Sequence, residues 1–390
     1  MPARRITILT TGLALGGAEA QVALLSISLK RRGWDVQVVS MLAPQAFEEE
    51  LQAAGVPLIC LDMRPGVPDP RALIRLARHL WKHRPHILHC HMVHANLLGR
   101  LARLAAPVSI VVSTAHSVWE GGGWRNWAYR LTEPLSDLTS NVSQCGLERY
   151  IKEKLTRPGK AIWMPNGLDV SKFSFEPGLR ESTRERMAWT AEDFVWLAVG
   201  NLREPKDYPN LLRAFTGLLL HEPRATLAIA GCGCLEHPLI EQAKQLGIRE
   251  RVQFLGQRRD IRQLLQGADA YVISSSWEGT PMALLEAAAS QLAVVATRVG
   301  GNPEVVEDEK SGLLVPPGDS ARLCAAMCRM MSFSTSERAL MGVHGRRRLE
   351  NVYGHEGVLN KWENIYHQLL LTRRRGGLGS PWKSWLWKKS

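Results

Sequence analysis

Short apolar runs alternate with amphipathic helical stretches throughout this 390-residue chain, and that rhythm constrains the fold more than any other feature. In the first half the apolar runs fall at residues 6–10, 35–40, 57–61, 86–90, 109–114, 137–142 and 161–164. Helical patterns such as 18–32, 71–83 and 96–105 separate them. Strands spaced by helices pair through crossovers rather than hairpins, which makes a parallel sheet covered on both faces. Between 171 and 192 the rhythm lapses into polar sequence holding Pro177, Gly178 and a run of charges. It resumes with apolar runs at 194–200, 225–230, 252–255, 270–274 and 293–297. The expected class is therefore α/β with two doubly wound parallel-sheet domains, at residues 1–170 and 193–354, joined by a linker at 171–192. A chain of this length is too long for one ordinary core, which agrees. Ligands in such folds bind beyond the carboxyl ends of the strands, so two such domains would face one central cleft.

After Pro316-Pro317-Gly318, helical patterns follow near 320–333, 336–350 and 355–372, the last expected to pack back on the first domain. The tail 373–390 contains Gly376, Gly377, Gly379 and Pro381 and does not continue a helix. With 45% hydrophobic and 22% charged residues the composition is that of a globular protein. No run of 18 apolar residues offers a membrane-spanning helix. Arg4, Arg5 and the apolar stretch 6–15 mimic a signal peptide, but Gly12, Gly16 and Gly17 fit a strand, a glycine loop and a helix better. The seven cysteines form no paired framework, and Cys232 and Cys234 lack the spacing of a redox or zinc motif; reduced thiols are expected. The sequon Asn141-Val142-Ser143 lies in an apolar segment and carries no functional reading.

Three segments combine a strand end with groups suited to a phosphorylated ligand. Gly12 to Glu19, with Gly16 and Gly17, follows the first strand and opens a helix, whose free N–H groups favour an anion. Gly200-Asn201-Leu202-Arg203-Glu204-Pro205-Lys206 follows the first strand of the second domain and places two cations at a strand end. Ser274 to Ala288 contains Glu278 and Glu286 around a loop, with Pro281 starting a helix. Glu286 falls among Ala and Leu, where a carboxylate needs a hydrogen-bonding partner; a ribose diol is one. Glu278 also has an ordinary reading as an acid at a helix start. The histidines at 86, 89, 91 and 94 could suggest zinc, but they have no carboxylate partners and read as a strand end entering a helix.

The spacing of Glu278 and Glu286 resembles the E-x7-E motif of the family 4 retaining glycosyltransferases, which have the GT-B fold of two Rossmann-like domains. The resemblance extends to about residue 370. Gly16-Gly17-Ala18-Glu19 looks like that family's N-terminal glycine loop, and His89-Cys90-His91 with Thr114-Ala115-His116 like its strand-end histidines. Asn166-Gly167-Leu168-Asp169 resembles its interdomain turn, Gly200 to Lys206 its phosphate loop, and Gly300-Gly301-Asn302-Pro303-Glu304 its later glycine loop. The resemblance implies a nucleotide-sugar donor, UDP-sugar before GDP-mannose. Catalytic roles would fall to His116, Lys206 and Glu278. Donor contacts would come from Gly16, Gly17, Asn201, Arg203, Lys206, Gly256, Gln257, Glu278, Thr280, Pro281, Met282 and Glu286. Lys206 would hold the diphosphate, Glu286 the ribose hydroxyls, and the backbone near Gly256-Gln257-Arg258 the base. His116 would meet the sugar near the reacting carbon. Asn201 stands where many members carry Arg, so Arg203 or Lys206 would supply that charge. Retention in the family is ascribed to front-face attack, and no covalent nucleophile is assigned.

Negative charge grows on the nucleoside diphosphate as the glycosidic bond breaks, and fixed cations with helix N-termini stabilise it. No D-x-D occurs in the chain; no metal and no cofactor are expected. The acceptor would be a glycan or a lipid-linked glycan, chosen by the first domain, with the aromatic loop Trp119 to Trp124 near His116 taking part. The net charge of +12 calls for an anionic partner. Within 373–390, Trp382, Trp385 and Trp387 alternate with Lys383, Lys388 and Lys389, a mixture suited to an anionic membrane surface. The expected place is therefore the cytoplasm, peripheral on the inner face of the membrane. Two other readings compete: a nucleotide-sugar epimerase on a related fold, which lacks the E-x7-E helix, and a non-catalytic basic nucleic-acid binder. No recognition module or basic–aromatic stripe in the folded part supports the second, so no nucleic-acid partner is expected.

Overall fold

The structure, a computed structural model, describes residues 4–374, and these divide into two units. The first runs β1 (Arg5–Thr10), α1 (Gly17–Arg31), β2 (Asp35–Leu42), α2 (Glu48–Ala53), β3 (Leu58–Met63), α3 (Arg71–His83), β4 (Ile87–His91), α4 (Val93–Ala105), β5 (Ile110–Ala115), α5 (Gly123–Thr132), β6 (Leu138–Asn141), α6 (Gln144–Lys152) and β7 (Ala161–Trp163). The second, Leu168–His355, runs α7 (Leu179–Arg186), β8 (Phe194–Val199), α8 (Tyr208–Leu219), β9 (Ala225–Ala230), α9 (Glu236–Gln245), β10 (Val252–Phe254), α10 (Ile261–Gly267), β11 (Ala270–Ile273), α11 (Met282–Ala289), β12 (Ala293–Thr297), α12 (Asn302–Val305), β13 (Gly312–Val315), α13 (Ser320–Ser332) and α14 (Thr335–Tyr353). The chain then returns to the first unit as α15 (His355–Arg374).

Both sheets are parallel, with strand orders β3-β2-β1-β4-β5-β6-β7 and β10-β9-β8-β11-β12-β13. In each, the order reverses beside the first strand, between β1 and β4 and between β8 and β11. Helices cover both faces. In the first unit α1, α2 and α15 pack on one face, and α3 and α4 on the other. In the second, α8, α9 and α13 pack on one face, and α10, α11 and α14 on the other. That is why the strands are continuous apolar runs rather than alternating ones: five of the six residues of β1 are buried.

Residues 171–192, expected to be a linker, instead belong to the second unit. Arg180 and Arg184 of α7 both grip Asp269, at 2.6 and 3.2 Å, and Trp189 is buried with its indole N–H on Gln253 at 2.8 Å. The segment reads as polar because arginine–carboxylate pairing, rather than an apolar stripe, fastens it. The tryptophan–lysine part of the tail, from 375 onward, lies outside the described residues. No helix among the described residues is long and apolar enough to cross a membrane.

The last helix is fastened to the first unit by both packing and charge. Val358, Leu359, Trp362, Tyr366 and Leu369 form one helical stripe and join the core of Ile6, Ile8, Val22 and Leu29. Trp34 meets Tyr366 edge-on at 5.6 Å, and its indole N–H donates to Glu363 at 2.8 Å. Arg32 pairs with Glu363 and with Glu356. Trp362→Ala should open a cavity in this core and lower stability by about 3–5 kcal/mol. Urea unfolding of the variant beside the parent measures this, and an unchanged midpoint would show that α15 is not part of the core.

Candidate active site

In the second unit, loops after four strands converge where the strand order reverses. The segment after β8 leaves Lys206 just before α8, and the segment after β11 carries Glu278. The two side chains form an ion pair at 2.5 Å, both largely shielded from water. The Ser275 hydroxyl donates to the same Glu278 oxygen at 2.6 Å. Further bonds tie the two loops: Ser274 donates to the Lys206 carbonyl at 2.9 Å, and the Ser276 N–H to that of Pro205 at 2.8 Å. Asp207 adopts a left-handed conformation (φ 45°) and caps α8 through Asn210 N–H. Desolvating a charged pair is unfavourable unless hydrogen bonds complete it, and Ser275 supplies one.

Two glycines are required by close approach. A Cβ on Gly300, where φ is +51°, would lie 2.1 Å from the Glu278 carbonyl oxygen. One on Gly231, after β9, would lie 2.0 Å from the Gly200 carbonyl oxygen. So the loop after β12 lies against the Glu278 loop, and the loop after β9 against the Lys206 loop. The Gly231 N–H in turn donates to the Gly256 carbonyl at 2.8 Å, which places Gly256 at the next strand end. Gln257 is exposed beside it, and Arg258 is held by Asp260 at 2.7 Å. Asn201 and Arg203 are exposed, and among the described residues Arg203 has no ion-pair partner. Thr280 and Pro281 are buried, and Met282 partly so.

Glu286 sits in the second turn of α11 among buried Leu284, Leu285, Ala287 and Ala288. No hydrogen bond to its carboxyl is found among the described residues. Desolvation by burial pushes it up to about 7. Beneath it, buried Tyr271 of β11 is raised well above its ordinary value, first by burial and then by the nearby Tyr208, Glu286 and Glu278. These groups therefore share one neighbourhood. Two expectations at this motif change. Pro281 is the residue before α11 rather than its first (φ −67°, ψ 124°), and Glu278 is not a helix-start acid: it lies in the loop, with Lys206 and Ser275 as partners.

In the first unit the segment after β1 leads through Gly16, the extended N-cap of α1, to exposed Gly17. The Glu19 carboxylate folds over Gly16, and burial raises its pKa above the ordinary value. At the ends of β4 and β5, His91 Nδ1 and His116 Nε2 are 2.9 Å apart. Desolvation lowers His116 to about 4 and His91 well below its ordinary value, so both are neutral near pH 7. The outer nitrogens, His91 Nε2 and His116 Nδ1, are shielded from water and have no hydrogen-bond partner. His89 is engaged on both sides, by Tyr366 and by Thr114, each at 2.7 Å. His86 Nδ1 accepts the Arg5 N–H at 3.0 Å. Among the described residues no three His, Cys, Asp or Glu side chains gather as metal ligands would.

Several residues here were not singled out from the sequence. Ser275 and Tyr208, whose hydroxyl donates to the Gly200 carbonyl at 3.1 Å, frame the Lys206–Glu278 pair. Tyr366 fixes His89 from 277 positions away. Glu120 accepts from Tyr129 and Tyr150 at 3.0 and 2.5 Å and anchors the aromatic loop; burial raises its pKa. A lone acid between Trp119 and three glycines was the available signal for Glu120.

Residues 15–172 match the model of Glycosyltransferase Family 4, and residues 180–348 that of Glycosyl transferases group 1. The UDP-Gal:alpha-D-GlcNAc-diphosphoundecaprenol alpha-1,3-galactosyltransferase of Escherichia coli is 26% identical over 338 residues, covering 84% of this chain and 86% of that protein. The GDP-mannose-dependent alpha-(1-6)-phosphatidylinositol monomannoside mannosyltransferase of Mycolicibacterium smegmatis is 31% identical over 265 residues, covering 64% of this chain and 68% of that protein. Among solved structures, Anabaena Alr3699/HepE in complex with UDP-glucose superposes with a TM-score of 0.82 at 20% identity, over 94% of this chain and all of that one.

Glu286 generates a pH prediction. Its folded value of about 7 exceeds the ordinary 4.5, so between these the folded chain holds a proton that the unfolded chain has released. The contribution to stability is complete below pH 4.5 and is lost as pH rises through about 7. Glu286→Gln, neutral throughout, should be more stable than the parent at pH 8 and should fall less between pH 5 and pH 8. Urea titrations at both pH values measure this; equal falls would show that Glu286 is not desolvated.

Proposed function

The chain belongs to glycosyltransferase family 4, and from that premise we propose that it is a retaining enzyme carrying a sugar from a UDP-sugar to a glycan or lipid-linked acceptor in cell-envelope or exopolysaccharide synthesis. The observation that carries this reading is the Lys206–Glu278 pair at the reversal of strand order, with desolvated Glu286 in the same neighbourhood. In a doubly wound sheet that position is where a nucleotide lies. On this reading the donor's diphosphate takes Glu278's place at the Lys206 ammonium, with exposed Arg203 adding charge where the usual arginine is replaced by Asn201. The backbone at Gly300 and Gly301 approaches the phosphates, and Thr280, Pro281 and Met282 line the donor. The base lies along Gly256 and Gln257.

Glu286 accepts both ribose hydroxyls. Ionised Glu286 is unfavourable in the empty protein and becomes favourable once the diol donates to it, so binding energy and carboxylate ionisation are coupled. As the bond from sugar to diphosphate breaks, charge accumulates on the leaving oxygen beside Lys206; an ammonium already in place stabilises it without reorganisation. In the first unit His116 is neutral and held by His91. UDP as the nucleotide is favoured by the Escherichia coli relative and by the Anabaena complex, and GDP-mannose by the Mycolicibacterium relative. A lipid-linked acceptor would place the enzyme at the inner face of a membrane, with the tryptophan–lysine tail beside it.

Turnover with a panel of UDP- and GDP-sugars tests the assignment. Lys206→Ala should reduce turnover about 100- to 1000-fold, a larger effect than its cost to stability, because it acts on developing charge. Glu286→Ala should reduce both UDP affinity and turnover by orders of magnitude; retained activity would remove Glu286 from the site. UDP affinity in the parent should rise as pH passes upward through about 7 and should lose that dependence in Glu286→Gln. EDTA should leave turnover unchanged, and a metal-restored loss would overturn the cation-only account.

A further inference from the structure

Helices α3, α4 and α5 lie side by side on one face of the first unit. Their inner stripes are filled: Leu76 and Leu80 of α3, Ala95 and Ala102 of α4, and Tyr129 of α5 are buried. Their outer stripes are also apolar, which a solvated surface does not require. On α3, Ile74 and Trp81 are exposed; on α4, Leu101 and Leu104, the latter 72%; on α5, Trp124, Trp127 and Leu131, each 64%. Spacings of three, four and seven residues put them on one outward side of each helix. Seven large apolar side chains exposed on three neighbouring helices mark an interaction surface.

The charges on the same helices identify the partner. The three contain four, two and two Arg or Lys residues and not one Asp or Glu. Arg100 is buried, and Arg75 and Arg103 pair with Asp69 and Asp137 outside the helices. Arg78 and Lys82 stand exposed alongside Ile74 and Trp81, with no ion pair among the described residues. Arg130 stands exposed beside Leu131, using one N–H on a backbone carbonyl. A second copy of this chain fits poorly, because a two-fold contact would oppose two acid-free basic faces. Indoles and leucines interspersed with unpaired cations suit an anionic lipid surface, with Trp at headgroup depth and Arg and Lys against lipid phosphates.

We propose that the outward face of α3, α4 and α5 is a docking surface for anionic membrane lipid, acting independently of the segment beyond residue 374. It extends the functional reading without resting on the choice of donor, because none of these helix residues is assigned to donor binding.

Co-sedimentation of the full-length protein with phosphatidylcholine–phosphatidylglycerol vesicles, and with phosphatidylcholine alone, tests it. Binding is expected only to the anionic vesicles. Arg78→Glu with Lys82→Glu should weaken it roughly tenfold or more, and Leu104→Ser with Trp127→Ser and Leu131→Ser should abolish the vesicle-induced blue shift of tryptophan emission. UDP-induced thermal stabilisation should persist in both, showing an intact fold and a functional second unit. A chain truncated after residue 374 should retain the helix-dependent binding. If truncation alone removes binding while both helix variants bind as the parent does, the tail carries the interaction and the proposal fails. It also fails if the apolar variant binds vesicles normally but dissociates a dimer in light scattering, which would assign the face to a second copy. Loss of UDP stabilisation by Glu286→Ala with vesicle binding retained would separate donor chemistry from docking.

Discussion

The ion pair between Lys206 and Glu278 is the interaction around which the second unit is organised. β8 and β11 are neighbours in the sheet, yet the helices that follow them, α8 and α11, pack on opposite faces, so the two loops must diverge. The pair spans that divergence, and Ser274, Ser275 and Ser276 reinforce it with hydrogen bonds to the same two loops. Opposite charges removed from water are stable only with such completion. Lys206 is thereby held in place before any ligand arrives, and the close approach of Gly300 to the Glu278 carbonyl fixes the opposite side of the loop. A cation prepositioned in this way needs little reorganisation when charge develops nearby.

The first unit repeats the architecture with different chemistry. At its own reversal of strand order it offers neutral, desolvated imidazoles. His89 below them is immobilised by Tyr366 and Thr114, so α15, which arrives last in sequence, sets the floor under His91. The second unit places charge at its reversal of strand order, and the first places neutral imidazoles there. The same unit carries its exposed basic and apolar residues away from this point, on helices that cover one face of the sheet.

Much of this was legible in the residues. The strand–helix rhythm specified both sheets, and the spacing of Glu278 and Glu286 pointed, with the 200–206 loop, to an expected donor side. Glu286 was legible because an acid among Ala and Leu on a helix is improbable without a partner. The segment 171–192 was not, since Arg180, Arg184 and Asp269 read as solvated charges until folding places them within 2.6 to 3.2 Å. Glu278 was legible as a member of the E-x7-E pair, but its ion pair was not. Its partner lies 72 positions upstream, beyond the reach of any periodicity.

The sequence by itself determined the class of fold and the number of domains, because these follow from local periods; that Gly231 and Gly300 can carry no side chain was decided by the loops packed against them. Only the tertiary structure decided which charges meet, which histidines stay neutral, how the last helix, expected on the first unit, is fastened there, and that three acid-free helices lie side by side with apolar residues outward. Each of those depends on contacts between residues distant in the chain and on the withdrawal of polar groups from water. Desolvation is a property of the packed interior, and no stretch of sequence carries it alone.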